Sequence, residues 1–112
     1  MEPIQWNDFE KIDIRVGTIV AAHPFPNARN PAYQLEIDFG PEIGIRRSSA
    51  QITGLYTLAE LPGRQVVAVV NFPVKQIANF FSECLVLGAV GDDKEVTLLM
   101  PERVTQNGLK IS

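Results

Sequence analysis

The strongest constraint on the fold is a series of short apolar segments separated by turn residues. Tyr33 to Phe39 alternates apolar and polar residues, which predicts a strand with one buried face. Val66 to Phe72 is apolar on both faces, which indicates a central strand. Further strands are expected at Ile14 to Ala22, Ile43 to Ile52, Leu85 to Val90 and Val96 to Met100. This spacing, with little helix, predicts an all-β domain, either a barrel or a sandwich, and the barrel is favoured.

Composition excludes several classes of protein. The net charge of −3 argues against nucleic-acid binding by bulk electrostatics alone. No apolar run approaches the roughly 20 residues of a membrane helix, and no signal peptide opens the chain, so we expect a cytoplasmic protein without membrane insertion. One cysteine, Cys84, and one histidine, His23, exclude an internal disulfide and argue against a metal site. We expect Cys84 to be a buried, inert thiol.

Motifs that carry catalysis are missing from the sequence. There is no glycine-rich phosphate loop, and His23 has no nucleophile at a recognisable spacing. Carboxylates such as Asp13 and Asp38 are isolated from one another. The sequence therefore predicts a protein that is not an enzyme and needs no cofactor.

The connector between two apolar segments is the best candidate for binding. It runs from Asn71 to Ser82, and connectors mounted on a rigid sheet often carry function. Phe80 and Phe81 are adjacent, so an extended chain cannot direct both inward. One of them is therefore exposed or in an interface, unless a helical turn or a dimer contact buries both.

The two ends of the chain carry further signals. Asn7 and Glu10 have the spacing of a capping box, which predicts a short helix. The apolar residues of this segment pack either under the domain or on a second subunit. Near the other end, Asn107-Gly108 between apolar residues predicts a hairpin. Within the first long strand, Gly17 indicates a bulge or bend.

Several separated blocks of sequence resemble the CsaA family of export-related chaperones. The blocks are Phe9 to Ile19, Phe25 to Tyr33, Ile37 to Gly40, Ser48 to Ile52 and Val70 to Ala78, with Gly108 to Ile111 at the end. Members of this family are built on the tRNA-binding domain that is also appended to some aminoacyl-tRNA synthetases. The resemblance extends over nearly the whole chain.

The resemblance implies a fold and an assembly. The fold would be a five-stranded OB-fold, a Greek-key barrel with short helices and terminal extensions, in a single tRNA-binding-type domain spanning 1–112. The core barrel would cover about 13–100, and the segments 1–12 and 101–112 would take part in a homodimer. The expected dimer contacts are Ile4, Trp6, Phe9, Leu109 and Ile111.

The resemblance also implies tRNA binding. Asn71, Lys75 and Ser82 match the asparagine, lysine and serine of the wider domain family, and Arg46 with Ser48-Ser49-Ala50 matches the preceding strand of the CsaA pattern. The expected tRNA-binding set is Arg46, Arg47, Ser49, Asn71, Lys75 and Ser82. One departure is Ser82-Glu83-Cys84-Leu85, where many tRNA-binding domains read Ser-x-Gly-Met, and it brings a negative charge near this surface. The alternative is that Asn71 and Ser82 cap strand ends while Phe72 and Phe80 lie in the core.

A second implied activity is the binding of unfolded or precursor polypeptides for export, with the export machinery as a further candidate partner. An exposed apolar patch would serve it, and the expected residues are Phe25, Phe72, Phe80 and Phe81. The sequence therefore predicts a chaperone-like protein of the CsaA type that also binds tRNA. The alternative function is that of a dedicated tRNA-binding protein acting as a trans cofactor of tRNA metabolism.

Overall fold

The computed structural model describes residues 1–112. An α-helix, α1, spans Trp6–Glu10. The strands are β1 (Ile14–Pro24), β2 (Tyr33–Asp38), β3 (Ile45–Ala50), β4 (Gln65–Val69), β5 (Lys75–Ile77), β6 (Phe80–Ser82), β7 (Leu85–Val86), β8 (Gly88–Val90) and β9 (Val96–Leu98). Two 3-10 turns cover Leu58–Glu60 and Asp92–Lys94. None of these helices has the length and apolar character needed to cross a membrane.

The long strand β1 organises the sheet because its two halves pair with different neighbours. Ile14 to Thr18 pairs antiparallel with β4, and Thr18 to Pro24 pairs antiparallel with β2. A shift in register between Ile19 and Ala21 marks an irregularity that bends the strand. The full order is β3-β2-β1-β4-β7.

Hydrogen bonds between β3 and the segment 82–84 bring the two edges of this sheet together. Glu83 N–H donates to the carbonyl oxygen of Arg47 at 2.8 Å, and Ser48 Oγ donates to the carbonyl oxygen of Cys84 at 3.0 Å. Ser49 N–H donates to Ser82 Oγ at 3.1 Å. The result is a nearly closed five-stranded antiparallel barrel, which confirms the predicted all-β OB-fold.

The barrel interior is filled by side chains from all its walls. Ile19, Leu35, Ile37, Phe39 and Leu61 are completely inaccessible to solvent. They belong to a cluster of 11 buried residues. Because side chains fill the interior, the barrel has no lumen, as expected for a small barrel.

Gly17 allows close packing, and the sequence prediction of a bulge there is wrong. A Cβ atom at Gly17 would lie 2.6 Å from Ile37 Cγ2 and 2.8 Å from Phe39 Cδ1. The irregularity of β1 occurs later, between Ile19 and Ala21. The glycine is therefore required by its neighbours across the strand pair.

The strand predicted over Leu85 to Val90 is divided in two. β7 pairs with β4, whereas β8 forms a separate hairpin with β9. Leu87 lies between β7 and β8. Its N–H donates to the carbonyl oxygen of Val67 at 2.9 Å, so this segment remains attached to the barrel.

Both termini differ in detail from the sequence predictions. α1 begins after Gln5, whose N–H donates to the Asp8 carboxylate at 2.9 Å, so the predicted cap at Asn7 is wrong. Asn107-Gly108 forms a turn, but no hairpin follows. Gly108 N–H donates to the Val16 carbonyl oxygen at 2.7 Å, and Ile111 N–H donates to that of Ile14 at 2.9 Å.

The C-terminal segment, residues 108–111, thus pairs with an edge of β1 that no strand of the sheet covers. β2 ends opposite Thr18, so the residues of β1 before Thr18 have no strand on that side. Unpaired backbone groups at such an edge need partners, and the tail supplies them.

Candidate nucleic-acid interface

A hairpin built from β5 and β6 stands at the edge of the barrel. Lys75 pairs with Ser82, Gln76 with Phe81 and Ile77 with Phe80. Ala78 turns the chain with a positive φ of 53°. The side-chain amide of Gln76 donates to the Ala78 carbonyl oxygen at 3.1 Å and braces this turn.

Apolar packing fixes the inner face of the hairpin. Phe80 lies against Phe25 with 5.3 Å between ring centroids, and both belong to a small buried cluster with Ala32. Ile77 packs against the same cluster. This packing holds the hairpin in place against the barrel, and two grooves lie along it.

The first groove, which we call the apolar groove, has a volume of about 630 Å³. Phe72, Val74 and Leu85 in its lining are 56%, 59% and 46% exposed. The complete lining is Phe72, Pro73, Val74, Lys75, Gln76, Ser82, Cys84 and Leu85. Lys75 is the one charged residue among them.

The second groove, which we call the polar groove, has a volume of about 450 Å³. Its lining is Ala28, Arg29, Asn30, Ala32, Ser49, Gln51, Lys75, Gln76 and Ile77. It holds two cations, Arg29 and Lys75, and three side-chain amides, with no carboxylate. Neither cation forms an ion pair within the chain.

Three of the predicted tRNA-binding residues meet at the hairpin. Ser49 and Lys75 line the polar groove. Ser82 lies opposite Lys75 in the strand register, and its hydroxyl accepts the hydrogen bond from Ser49 N–H. The structure therefore brings together Ser49, Lys75 and Ser82. Ser82 holds the β5–β6 hairpin, which carries Lys75, against β3, which carries Ser49.

The two predicted arginines are engaged within the chain and line neither groove. The Arg46 guanidinium donates to the Val70 carbonyl oxygen. Arg47 Nε lies 3.7 Å from Glu83 Oε1, and its guanidinium sits 5.1 Å from the centroid of the Phe80 ring. The carboxylate of Glu83 thus offsets the charge that Arg47 would offer to a phosphate.

Asn71 also has its hydrogen-bonding groups occupied. Its Oδ1 accepts from Asp13 N–H at 3.0 Å, and its Nδ2 donates to the Lys11 carbonyl oxygen at 2.7 Å. It lines neither groove. Asn71 fastens the segment after α1 to the start of the connector, which is the capping alternative raised by the sequence.

The four phenylalanines expected at a polypeptide surface divide into two pairs. Phe25 and Phe80 are 6% and 4% exposed, so the expectation that they form an exposed patch is wrong, because they pack on each other. Phe72 and Phe81 are exposed. The prediction that Phe80 and Phe81 face opposite ways is confirmed, although Phe81 lies outside both grooves.

Sequence reasoning missed several groove residues. Arg29, Asn30 and Gln51 line the polar groove, and Val74 and Leu85 line the apolar groove. Arg29, an arginine in the loop between two predicted strands, was a usable signal for the polar groove. Nothing local showed that this loop would lie beside the hairpin.

The expected dimer residues are exposed to different degrees. Ile4 and Trp6 are each 69% exposed, and no residue of α1 is buried. The ring of Trp6 lies against that of Phe9, with centroids 5.8 Å apart. The alternative that Ile4 and Trp6 pack under the domain is therefore wrong. Phe9 and Ile111 are half-buried, and Leu109 is exposed.

The single cysteine carries an unreactive thiol. Burial raises the pKa of the Cys84 thiol to about 12, so the thiol is protonated and unreactive at neutral pH. No three His, Cys, Asp or Glu side chains lie close enough together to hold a metal ion.

Comparison with solved structures gives matches along the full chain. The crystal structure of the chaperone CsaA from Bacillus anthracis superposes with a TM-score of 0.94 and 50% identity, covering 99% of this chain and 100% of that one. The CsaA chaperone protein from Picrophilus torridus gives a TM-score of 0.92 and 53% identity, covering 98% and 100%.

Comparison with curated sequences gives relatives of another kind. The methionine–tRNA ligase of Pyrococcus furiosus is 35% identical over 111 residues, which are 99% of this chain and 15% of the ligase. The ligase of Methanocaldococcus jannaschii is 32% identical, with 99% and 17% covered. The chain thus spans about 15% of the length of the curated relatives it matches first. The family model described as a putative tRNA binding domain matches residues 14–110, so the chain belongs to that family and, within it, to the CsaA family.

Proposed function

We propose that this chain is a non-catalytic binding protein that holds tRNA in the polar groove and unfolded or precursor polypeptides in the apolar groove. The observation that carries the proposal is the β5–β6 hairpin, which separates two grooves of opposite character. Membership of the tRNA-binding domain family supports the first ligand, and the similarity to CsaA chaperones supports the second.

The polar groove has the groups that single-stranded or looped RNA requires. Arg29 and Lys75 are free of ion pairs and would bind phosphates. Asn30, Gln51 and Gln76 would supply amides that hydrogen-bond base edges. No carboxylate lines the groove, so a local cationic site coexists with the net charge of −3.

The apolar groove suits a polypeptide with large apolar side chains. Phe72, Val74 and Leu85 are each about half exposed around one cavity, so they form a shared apolar surface that a ligand can cover. Unfolded chains expose such side chains, and native proteins bury them. This groove is therefore where a chaperone would bind its client.

The proposal includes a homodimer and a role in export from the cytoplasm. Exposed Ile4 and Trp6 support a second copy covering α1. The export role rests on the resemblance to the CsaA family. Light scattering would test the dimer, because Trp6→Ser would then give a smaller particle without loss of the folded barrel.

Amide chemical shifts in an isotope-labelled sample would test both ligands. Adding tRNA should move the signals of Arg29, Ser49 and Gln51, and adding an apolar peptide should move those of Val74 and Leu85. Signals of Val104, which lines neither groove, should stay in place under both conditions. If tRNA moves its set and no peptide moves Val74 or Leu85, polypeptide binding in the apolar groove is ruled out and the alternative of a dedicated tRNA-binding trans cofactor is favoured. Equal shifts across the whole surface would contradict the assignment of both grooves.

A further inference from the structure

Two residues, Lys75 and Gln76, line both grooves, and only one of them is free to move. The Gln76 amide is held by its hydrogen bond to the Ala78 carbonyl oxygen. Lys75 is exposed, and its ammonium makes neither a hydrogen bond nor an ion pair within the chain. Four rotatable bonds allow the ammonium to swing across the top of the hairpin.

One ammonium serves one groove at a time. In the polar groove, Lys75 is one of two cations, the other being Arg29. In the apolar groove it is the only charge. A carboxylate beside bound apolar side chains would therefore pair with Lys75 and hold it away from the RNA side.

From this arrangement we infer that tRNA competes with one class of polypeptide, namely apolar segments flanked by a carboxylate, and that Lys75 is the shared residue. The inference rests on the proposed function. It names a preferred client, because an apolar segment without a carboxylate fills the groove and leaves Lys75 available to RNA. Binding linkage requires each ligand to weaken the other by the same factor.

Fluorescence anisotropy with labelled tRNA would test the competition. The two probes are a short peptide of leucine and phenylalanine ending in glutamate and amide-capped, and the same peptide with glutamine in place of glutamate. At saturation the glutamate peptide should raise the Kd for tRNA by about fivefold, which lies within the usual range of coupling between sites. The glutamine peptide should raise it much less, and tRNA should raise the Kd of the glutamate peptide by the same fivefold factor.

Two variants separate the shared residue from its neighbours. Lys75→Met keeps the length of an exposed side chain, so the fold should be retained, and it should abolish the difference between the two peptides. Arg29→Gln, which lies on the polar groove only, should weaken tRNA binding and leave that difference intact.

The outcomes distinguish this inference from the proposal beneath it. Suppose that both ligands bind the unchanged protein and that the Kd for tRNA is the same with and without the glutamate peptide. The inferred competition is then overturned, whereas the assignment of one ligand to each groove is retained. An equal effect of the two peptides would overturn the role of the carboxylate. If tRNA or both peptides fail to bind, the proposed function is overturned and this inference with it.

Discussion

The hydroxyl of Ser82 accepts a hydrogen bond from the backbone N–H of Ser49 at 3.1 Å and so joins the β5–β6 hairpin to β3. Both residues were expected at a tRNA surface from the sequence. The bond shows that one of them acts by positioning the hairpin. The wall between the two grooves therefore depends on a contact between residues 33 positions apart.

Ser82→Ala should destabilise the barrel by about 1 kcal/mol, since it leaves the half-buried Ser49 N–H without its acceptor. Urea unfolding followed by circular dichroism would measure the change. Ser112→Ala, at an exposed terminal position, is the matched control and should have no effect. Equal stability of the two variants would show that the bond contributes nothing.

Asn71→Ala should release the segment between α1 and β1. The substitution removes the acceptor for Asp13 N–H and the donor to the Lys11 carbonyl oxygen, at a cost of about 1–2 kcal/mol. Hydrogen exchange at the Asp13 amide should accelerate. Asn71→Asp retains an acceptor oxygen, so exchange at Asp13 should stay slower than in the alanine variant. Unchanged exchange in Asn71→Ala would contradict this role.

Phe72→Ser should weaken the suppression of client aggregation several-fold without unfolding the protein, because Phe72 is exposed and lines the apolar groove. Phe81→Ser is the matched control, since Phe81 is similarly exposed and lies outside the groove. Light scattering from a denatured client would report both. A larger loss in Phe81→Ser would move the polypeptide surface to the outer face of the hairpin.

The stability of the protein should fall at alkaline pH through Cys84. Burial raises the pKa of the folded thiol to about 12, above the value of 9.0 for a free thiol. The folded state therefore keeps a proton that the unfolded state loses, and its stabilisation is complete below pH 9 and declines as pH rises toward 12. The decline should approach about 1.4 kcal/mol per pH unit within this interval, and Cys84→Ala should remove it. Parallel curves for the two proteins would contradict a buried neutral thiol.

Local pattern predicted the strands well, because alternation and β-branched residues act within a few positions. Tyr33 to Asp38 is a strand as its pattern indicates, and Phe80 and Phe81 face opposite ways for the same reason. Partners distant in sequence decided the rest. The donor and the acceptor that engage Asn71, Asp13 N–H and the Lys11 carbonyl oxygen, lie 58 and 60 residues away, and no local signal identified them.

The candidate site was only partly predictable for the same physical reason. Lys75 and Ser49 were found through the resemblance of the flanking blocks. Arg29 was missed as a groove residue because its loop approaches the hairpin only when Phe25 packs on Phe80. The sequence prediction overestimated how available the charge of Arg47 is to a phosphate, because the carboxylate of Glu83 pairs with it.

The salt dependence of tRNA binding tests the central claim most directly. With Arg29 and Lys75 as the two phosphate contacts of a chain, the logarithm of the association constant should fall with the logarithm of salt concentration with a slope of about −1.4 to −1.8. Lys75→Met should reduce the magnitude of that slope by about 0.7–0.9. Lys110→Ala, which removes a cation outside both grooves, should leave it unchanged. The same slope in Lys75→Met and the unchanged protein would contradict the account, as would a complete lack of tRNA binding at about 50 mM salt.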